Sequence, residues 1–575
     1  MFTRFAVCVL LLAPFIASAD SSASRFRYED ATVAELQAAM ASGRLTSEAL
    51  TRAYIARILA FDQDGPGVNS VMELNPDAIA MARTADALRR QGKVLGPLHG
   101  IPVLLKGNID TGDRMQTTAG SFGLAGAPAP RDATVAAKLR AGGAVILGKT
   151  NLSEWANFRS FSSSSGWSGV GGQTHNPYGL DRNPCGSSSG SAAAVTANFT
   201  AVSLGTETDG SIVCPANANG VVGIKPTVGL TSRAGVVPIS HTQDTVGPHG
   251  RTVADAAAAL SVIQSRTSDG RDPATAGVPL GWQGRARPTN IPTDYTKFLD
   301  KNGLRGARLG VTRQGIDSAP PQVIAAFDAA LDAMKAAGAT LIDLDGAGFQ
   351  FASADGEFLV LCFDFRDDVR AYFATRTGVP LAGKTLNDAI AFNNAHAEKE
   401  MPFFGQEIFE LTVAMAPGPD DPQPDFDNMT YNQALEIDRL SGVNGIDKAL
   451  ADFDLDAVVA PTDNPAWATD LLYGDHFIFG SSGLAAGAGY PIVQVSAGMV
   501  FGIPLGVSFF GTAFSEPMLI KLASGFEAAT HVRADNPPTF APTIPNDHID
   551  GTTLKKPHSQ PKKPQGWEHR RPRHM

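Results

Sequence analysis

The run Gly186-Ser-Ser-Ser-Gly-Ser-Ala-Ala-Ala-Val195 places a cluster of serine and glycine directly before an alanine-rich helical pattern. That pattern predicts a helix over residues 191–198, and the apolar run that follows predicts a strand over residues 201–204. The same order occurs upstream, with a helix predicted over residues 132–141 and a strand over residues 144–147. Helix and strand patterns that alternate in this way favour an α/β architecture.

The alternation extends in both directions from this stretch. Residues 32–61 predict a helix that breaks near Gly43, and Thr32 with Glu35 forms a capping-box pattern at its start. Residues 101–105 form a short apolar run between glycines, which is typical of a buried strand. Further along the chain, the patterns predict helices over residues 322–337 and 517–528 and a strand over residues 457–460.

The composition is that of a globular protein. The chain has 575 residues, of which 43% are hydrophobic and 18% are charged. This balance excludes collagen, a coiled coil, a largely disordered chain and a small disulfide scaffold. Length alone predicts about four domains of roughly 150 residues each.

The N-terminus has the features of an export signal. Arg4 precedes an apolar run over residues 5–16, and Ala17-Ser-Ala19 supplies small residues for cleavage. We therefore expect residues 1–19 to be a signal peptide and the protein to be secreted or periplasmic. A run of about twelve apolar residues is too short to cross a bilayer as a helix, so we expect no stable membrane anchor.

The net charge of −10 is distributed unevenly. Residues 546–575 are predicted to form a disordered, basic tail, and within it residues 555–575 hold seven lysines and arginines against a single acidic residue, Glu568. The rest of the chain is therefore more acidic than the total suggests. An acidic body argues against a nucleic-acid partner.

Three cysteines remain after the predicted signal: Cys185, Cys214 and Cys362. An odd number in an exported chain allows at most one internal disulfide and leaves at least one free thiol. Cys185 and Cys214 flank the serine-rich region, but the sequence alone does not decide whether they pair. It also does not determine the oligomeric state.

Two motif matches are discounted. Gly186-Ser-Ser-Ser-Gly190 fits the nucleophile elbow G-x-S-x-G around Ser188, but an elbow follows a strand, and Pro184 is a poor strand residue. Gly143-Ala-Val-Ile-Leu-Gly-Lys-Thr150 fits the phosphate-binding pattern G-x-x-x-x-G-K-[ST]. Its four central residues are themselves the predicted strand, so no loop remains to surround a phosphate.

Metal and cofactor motifs are equally weak. His396-Ala-Glu398 matches half of a zinc deaminase site, but no P-C-x-x-C follows it. The sequence contains neither H-E-x-x-H nor C-x-x-C. We therefore expect an activity that needs no metal and no cofactor.

One lysine and two serine-bearing loops, the Ser187–Ser189 cluster and the loop of Ser211, remain as candidates for chemistry. Lys106 ends the apolar run 101–105, and burial there would lower its pKa and leave a neutral amine that acts as a base. Ser211 closes Gly205-Thr-Glu-Thr-Asp-Gly-Ser211, a loop in which glycine lets consecutive N–H groups point at one spot. Such a nest of amides suits an oxyanion. Considered separately, Lys106 is better explained as a strand-end lysine that extends to solvent, and the loop is also compatible with a simple helix cap.

Together these segments resemble the amidase signature family of serine hydrolases. The resemblance is carried by Gly186–Val195, by Gly205–Ser211, by Gly223-Ile-Lys-Pro-Thr227 and by Gly100-Ile-Pro-Val-Leu-Leu-Lys-Gly-Asn-Ile-Asp110. It covers roughly residues 28–535. The resemblance implies a single large α/β domain over residues 20–545, with a central mixed β-sheet covered by helices on both faces. One large domain replaces the four that length alone suggests.

The resemblance also implies roles for individual residues. Ser211 is similar to the family's nucleophile, Ser187 to a bridging serine held by a cis Gly186–Ser187 peptide, and Lys106 to the base. The amides of the Thr208-Asp-Gly-Ser211 segment, with Thr208, Asp209 and Gly210 as substrate-binding positions, correspond to the oxyanion site. Two positions depart from the family pattern: Gly107 stands where many relatives have an acidic residue, and Val213 stands where carboxylate-binding relatives have arginine.

Within the family, the segments 172–178, 183–188 and 206–215 are most similar to bacterial peptide amidases. The expected activity is hydrolysis of C-terminally amidated peptides or similar small amides, with release of ammonia through an acyl-enzyme. The Ser/Gly-rich segment 160–172 is then expected to line the active site. Residues 349–373 are expected either to cover a peptide chain or to form a buried amphipathic helix.

Three other functions are weighed. A lipid- or aryl-amide hydrolase of the same family is the enzymatic alternative. An amidotransferase subunit that acts in glutaminyl-tRNA synthesis is disfavoured by the export signal and the acidic body. A non-catalytic binding protein is disfavoured because the lysine and both serines are present.

Overall fold

The computed structural model describes residues 26–277 and 287–543. The predicted signal peptide, residues 1–19, and the predicted basic tail, residues 546–575, lie outside the described residues. Among the described residues, no helix combines the length and the apolar character needed to cross a membrane.

Eleven strands form one large sheet in the order β1-β3-β2-β6-β8-β7-β12-β13-β11-β9-β10, and β4 with β5 forms a separate hairpin. The strands are β1 Val71–Leu74, β2 Pro102–Lys106, β3 Val145–Thr150, β4 Trp167–Ser168, β5 Gly172–Gln173, β6 Val202–Glu207, β7 Val222–Lys225, β8 Thr245–Gly250, β9 Arg308–Val311, β10 Thr340–Asp343, β11 Ala457–Pro461, β12 Ile492–Val500 and β13 Ile503–Phe510.

The sheet is mixed, as predicted. β2 pairs in parallel with β3 and β6, and β9 pairs in parallel with β10 and β11. β8 pairs antiparallel with both β6 and β7, and β12 pairs antiparallel with β7 and β13. Every residue of β2, β3 and β6 is buried, which agrees with the continuous apolar runs expected for parallel strands in the interior.

Helices flank the sheet. They are α1 Val33–Ala41, α2 Ser47–Ile58, α3 Ala78–Arg90, α4 Thr134–Ala141, α5 Ser189–Thr196, α6 Val213–Ala218, α7 Val253–Ile263, α8 Pro321–Ala336, α9 Glu357–Ala374, α10 Leu386–Ala395, α11 Ala397–Glu400, α12 Glu407–Ala414, α13 Tyr431–Ser441, α14 Lys448–Asp452, α15 Gly483–Ala486, α16 Glu516–Thr530 and α17 Val532–Asp535.

The local signals in the sequence agree with these elements. Thr32 and Glu35 form the predicted capping box of α1, and the chain breaks at Gly43, which has a φ of +73°. β3 runs through the glycine, lysine and threonine of the false phosphate-binding motif, so the motif is a strand. The predicted helix over residues 191–198 begins two residues earlier, at Ser189.

One apolar core links the two ends of the domain. Its buried side chains come from α1 and α2, from the sheet, and from α7, α8 and α16 near the C-terminus. A second cluster lies among α9, α10, α12 and α13. Because a single core includes residues from Val33 to Phe526, the described chain forms one domain rather than four.

We predict that Phe509→Ala lowers the free energy of unfolding by about 3–5 kcal/mol, because it removes a fully buried ring from β13. The Phe509 ring lies 6.0 Å from that of Phe526 on α16, so the loss opens a cavity between sheet and helix. Phe501→Ala, in the turn between β12 and β13, is the matched control, since that ring is 79% exposed. Equal denaturant midpoints for the two variants would contradict this account of the core.

Candidate active site

Three buried strands bring their last residues to one edge of the sheet. β2, β6 and β7 run in the same direction, because β2 is parallel to β6 and β8 is antiparallel to both β6 and β7. They end at Lys106, Glu207 and Lys225, and all three of these side chains are buried. The edge therefore gathers ionisable groups where the chain leaves the sheet, which is where α/β proteins commonly bind ligands.

Lys106 is completely buried among hydroxyl and carbonyl groups. Its Nζ atom lies 2.8 Å from Ser187 Oγ, 2.9 Å from Thr206 Oγ1 and 3.2 Å from the Thr206 carbonyl oxygen. Burial lowers the pKa of Lys106 to about 7, against the opposing charges of Asp244 and Glu207. Near neutral pH a large share of this lysine is therefore an uncharged amine with a free lone pair.

Ser187 follows a cis Gly186–Ser187 peptide bond, as predicted. Its carbonyl oxygen accepts a hydrogen bond of 3.1 Å from the Ser153 amide. A Cβ atom on Gly186 would lie 2.2 Å from Ser153 Oγ and 2.9 Å from Ser165 Oγ, so only glycine fits there. Ser165 belongs to the segment 160–172, which thus packs against the Gly186–Ser187 turn instead of acting as a linker.

Ser188 joins the two serine-bearing loops. Its amide donates to the Ser211 carbonyl oxygen over 3.1 Å, and its hydroxyl donates to the Thr206 carbonyl oxygen over 3.0 Å. No strand precedes it at residues 181–185. Both findings agree with rejecting the nucleophile-elbow interpretation, because the hydroxyl of Ser188 is directed at the backbone.

A disulfide joins the same two loops. Cys185 pairs with Cys214, with Cα atoms 5.9 Å apart, and Cys362 is a free, buried thiol. The pairing that the sequence left open is therefore present. It connects the residue before Gly186 to the start of α6, three residues after Ser211.

The loop that carries Ser211 is held from several sides. The Glu207 carboxylate accepts from the amides of Ile212 at 2.6 Å and Val213 at 3.0 Å. Thr208 Oγ1 donates to Asp244 Oδ1 over 2.6 Å, and Gln243 Nε2 donates to the Thr208 carbonyl oxygen over 3.0 Å. These bonds fix the backbone of the loop on both sides of the serine.

The amides of Asp209, Gly210 and Ser211 donate to no acceptor among the described residues. Gly210 adopts a φ of +74°, the left-handed conformation that glycine tolerates. Consecutive N–H groups without an acceptor around such a glycine are what the predicted nest requires. Within the described residues, no hydrogen bond joins the hydroxyls of Ser187 and Ser211.

The sequence interpretation missed the groups that support these candidates. Thr206 and Glu207 lie inside the quoted Gly205–Ser211 string but received no role. Asp244 and Gln243 were not singled out, although they stand just before β8, the strand between β6 and β7. No spacing in the sequence marks them, because β8 reaches the site only by pairing with β6 and β7 in the folded sheet.

Residues 349–373 lie mainly in α9, whose buried face belongs to the second apolar cluster. This confirms the buried-helix interpretation for most of the segment. The first residue of α9, Glu357, accepts a hydrogen bond from Gln243 Nε2 and so contacts the Ser211 loop indirectly.

The histidines that could bind a metal lie outside the site. His396 is an exposed residue at the end of α10, so the H-x-E pattern is a surface feature.

His241 groups with Asp364 and Asp368, with ligand-type atoms within 4.8 Å of one another. Although burial opposes it, a hydrogen bond to Asp368 and the charge of Asp364 raise the pKa of His241 to about 9. Asp364 also accepts from Ser240, Thr242 and Tyr431, so this group is a hydrogen-bonded ion pair.

The sheet and this edge define an α/β enzyme built around a buried lysine–serine pair. The family model described as Amidase matches residues 49–520, and the chain belongs to the amidase signature family, whose enzymes hydrolyse C–N amide bonds. The expected fold class is therefore confirmed.

Relatives of the chain cover nearly its full length. A probable amidase of Arabidopsis thaliana is 42% identical over 90% of this chain and 93% of its own. A glutamyl-tRNA(Gln) amidotransferase subunit of Chloroflexus aurantiacus is 33% identical over 88% of this chain and 98% of its own. The crystal structure of a peptide amidase from Stenotrophomonas maltophilia is 46% identical, with a TM-score of 0.79, over 90% of this chain and 99% of its own.

We predict that the double variant Cys185→Ala/Cys214→Ala lowers the free energy of unfolding by about 2–4 kcal/mol, because it releases a loop of 29 residues. Denaturant titration measures this change. Cys362→Ala keeps the disulfide and serves as the control for loss of a buried thiol. A double variant no less stable than this control would show that the cross-link contributes nothing.

Proposed function

We propose that the protein hydrolyses the primary amide at the C-terminus of peptides and releases ammonia. The similarity to a peptide amidase at 46% identity supports this substrate class. The observation that carries the proposal is the 2.8 Å contact between Lys106 Nζ and Ser187 Oγ at a site where burial lowers the lysine pKa to about 7.

In this proposal Ser211 is the nucleophile, Ser187 relays protons and Lys106 is the base. Neutral Lys106 accepts a proton from Ser187, which in turn accepts one from Ser211 as Ser211 Oγ attacks the amide carbon. Ser187 closes the gap to Ser211 when substrate is bound, since catalytic hydrogen bonds tighten in the reactive complex. The amides of Thr208 to Ser211 donate to the oxyanion, and each such donor contributes roughly 3–4 kcal/mol.

The second half of the cycle reverses the proton path. Lys106 returns the proton through Ser187 to the leaving nitrogen, and the C–N bond breaks to give ammonia and an ester on Ser211. Water then attacks the ester while its proton passes through Ser187 to Lys106. The acid product leaves, Ser211 regains its proton, and no histidine takes part.

Export is part of the proposal. The N-terminal sequence pattern predicts a cleaved signal, and disulfides persist mainly in oxidising compartments. The Cys185–Cys214 pair supports a secreted or periplasmic location. A mature N-terminus at Asp20, measured on the exported protein, tests this.

We predict that hydrolysis of a panel of N-acylated peptide amides exceeds that of long-chain fatty amides, both followed as ammonia release, and that of aryl acylamides, followed as arylamine release. Ser211→Ala should lower kcat by at least about 10³-fold. Ser188→Ala is the matched control, because its hydroxyl binds backbone and should affect stability more than rate. Turnover retained by Ser211→Ala would remove the nucleophile. A preference for fatty or aryl amides would favour the alternative substrate class.

We predict that kcat/KM rises with pH through about 7 and then levels, because Lys106 acts as a base only after losing its proton. Lys106→Met should abolish this rise together with most of the activity. Lys149→Met is the control, since Lys149 is also fully buried, on the neighbouring strand β3, and burial lowers its pKa to about 8. A pH profile that changes in the Lys149 variant and persists in the Lys106 variant would overturn the assignment.

A further inference from the structure

Carboxyl groups crowd the loop that carries Ser211. Asp209, two residues before Ser211, is exposed, whereas its neighbours in the loop are buried. Ser482 lies against this loop, since a Cβ on Gly210 would lie 3.2 Å from Ser482 Oγ, and a Cβ on Gly483 would lie 3.6 Å from Asp209 Oδ2. Asp209 therefore lies against the turn that begins α15, on the accessible side of the loop.

Asp463 is a second carboxyl close to Asp209. It is completely buried, and neither of its oxygens has a hydrogen-bond donor among the described residues. The charged groups that face it are Asp209 and Glu207, both negative when ionised. A Cβ on Gly480 would lie 2.3 Å from Asp463 Oδ1, so glycine there leaves room for this carboxyl. Burial, and then the charges of Asp209 and Glu207, raise the pKa of Asp463 well above the ordinary range, so this carboxyl ionises only when a cation comes close.

Glu357 adds a third carboxyl from α9. It is half-buried, and Gln243 joins it to the Thr208 carbonyl oxygen in the same loop. Burial first, and the charge of Asp209 second, raise its pKa well above the ordinary range. Lys225 is the basic group that faces both Asp209 and Glu357, and its Nζ already donates to the Tyr490 carbonyl oxygen.

We propose that Asp209 binds a cationic group of the substrate, an ammonium or a guanidinium, and that this cation favours the ionised forms of Asp463 and Glu357 behind it. Lys225 faces Asp209 and Glu357 but is engaged elsewhere, and no basic group faces Asp463 among the described residues, so a substrate cation would complete the local balance of charge. Charge-assisted hydrogen bonds to carboxylate are about twice as strong as neutral ones. The inference rests on the proposed amidase reaction, whose substrate class it narrows.

Two parts of a substrate could supply this cation. One is the α-ammonium of a free amino acid amide, which is one carbon from the scissile carbonyl. The other is the side chain of a C-terminal lysine or arginine amide. The chemistry of recognition is the same for both, and paired substrates separate them.

The test compares kcat/KM within two matched pairs at pH 7. N-acetyl-lysinamide against N-acetyl-norleucinamide tests the side chain, and leucinamide against 2-hydroxy-4-methylpentanamide tests the α-ammonium. We expect kcat/KM to be five- to tenfold higher for the cationic substrate in at least one pair, which corresponds to about 1–1.4 kcal/mol. No preference in either pair overturns the subsite.

Variants locate the preference within the protein. Asp209→Asn should reduce the cation-to-neutral ratio to about one, and Asp463→Asn should reduce it about threefold. Because the ratio compares two substrates on the same variant, a general loss of activity or a smaller folded fraction cancels out. Asp255→Asn is the control, because Asp255 is equally buried but accepts from the Val33 amide on α1, away from the loop. Ratios unchanged in both Asp209 and Asp463 variants would overturn the assignment.

A binding measurement separates failure of the subsite from failure of the reaction. If none of the four amides is hydrolysed, the proposed function fails, and the subsite is tested by thermal shift with 1-hexylammonium chloride and 1-hexanol. Stabilisation by the ammonium alone, lost in Asp209→Asn, supports the cation subsite. Equal effects of the two compounds overturn it.

Discussion

The central constraint in this structure is the burial of Lys106 at the end of β2. A lysine that water cannot reach is stable only when it gives up its charge or finds strong partners. Here hydroxyls and a carbonyl surround Nζ, and no carboxylate of the described residues touches it, so the pKa falls to about 7 instead of being held at its ordinary value. The interactions that hold Thr206 and Ser187 in place therefore also determine the pKa of Lys106.

The order of the strands in the sheet holds Thr206 and the loop that follows it in place. β6 lies between β2 and β8, so Thr206 reaches Lys106 on one side while Asp244, just before β8, reaches Thr208 on the other. The Glu207 carboxylate holds the backbone after Ser211, and the disulfide and Ser188 hold the Ser187 turn against the same loop. Two loops that are separate in sequence thus form one unit.

Local features were predictable because their physics is local. The capping box of α1, the burial of β2, the strand that matches a phosphate-loop motif and the left-handed Gly210 each depend on a few adjacent residues. The resemblance then placed Lys106, Ser187 and Ser211 together. The Cys185–Cys214 pairing, Asp244 and Asp463 could not be derived from spacing, because their contacts depend on how distant strands pack in an eleven-stranded sheet.

The acids around the site also explain why the lysine pKa falls only to about 7. Burial lowers it, whereas the charges of Asp244 and Glu207 raise it. Burial raises the pKa of Asp244 to about 6, so its charge is present over the range in which Lys106 loses its proton. A lysine buried to this extent without those carboxylates would have a still lower pKa and be a weaker base. In the proposed mechanism, Asp244 and Glu207 therefore keep Lys106 basic enough to accept the serine proton near neutral pH.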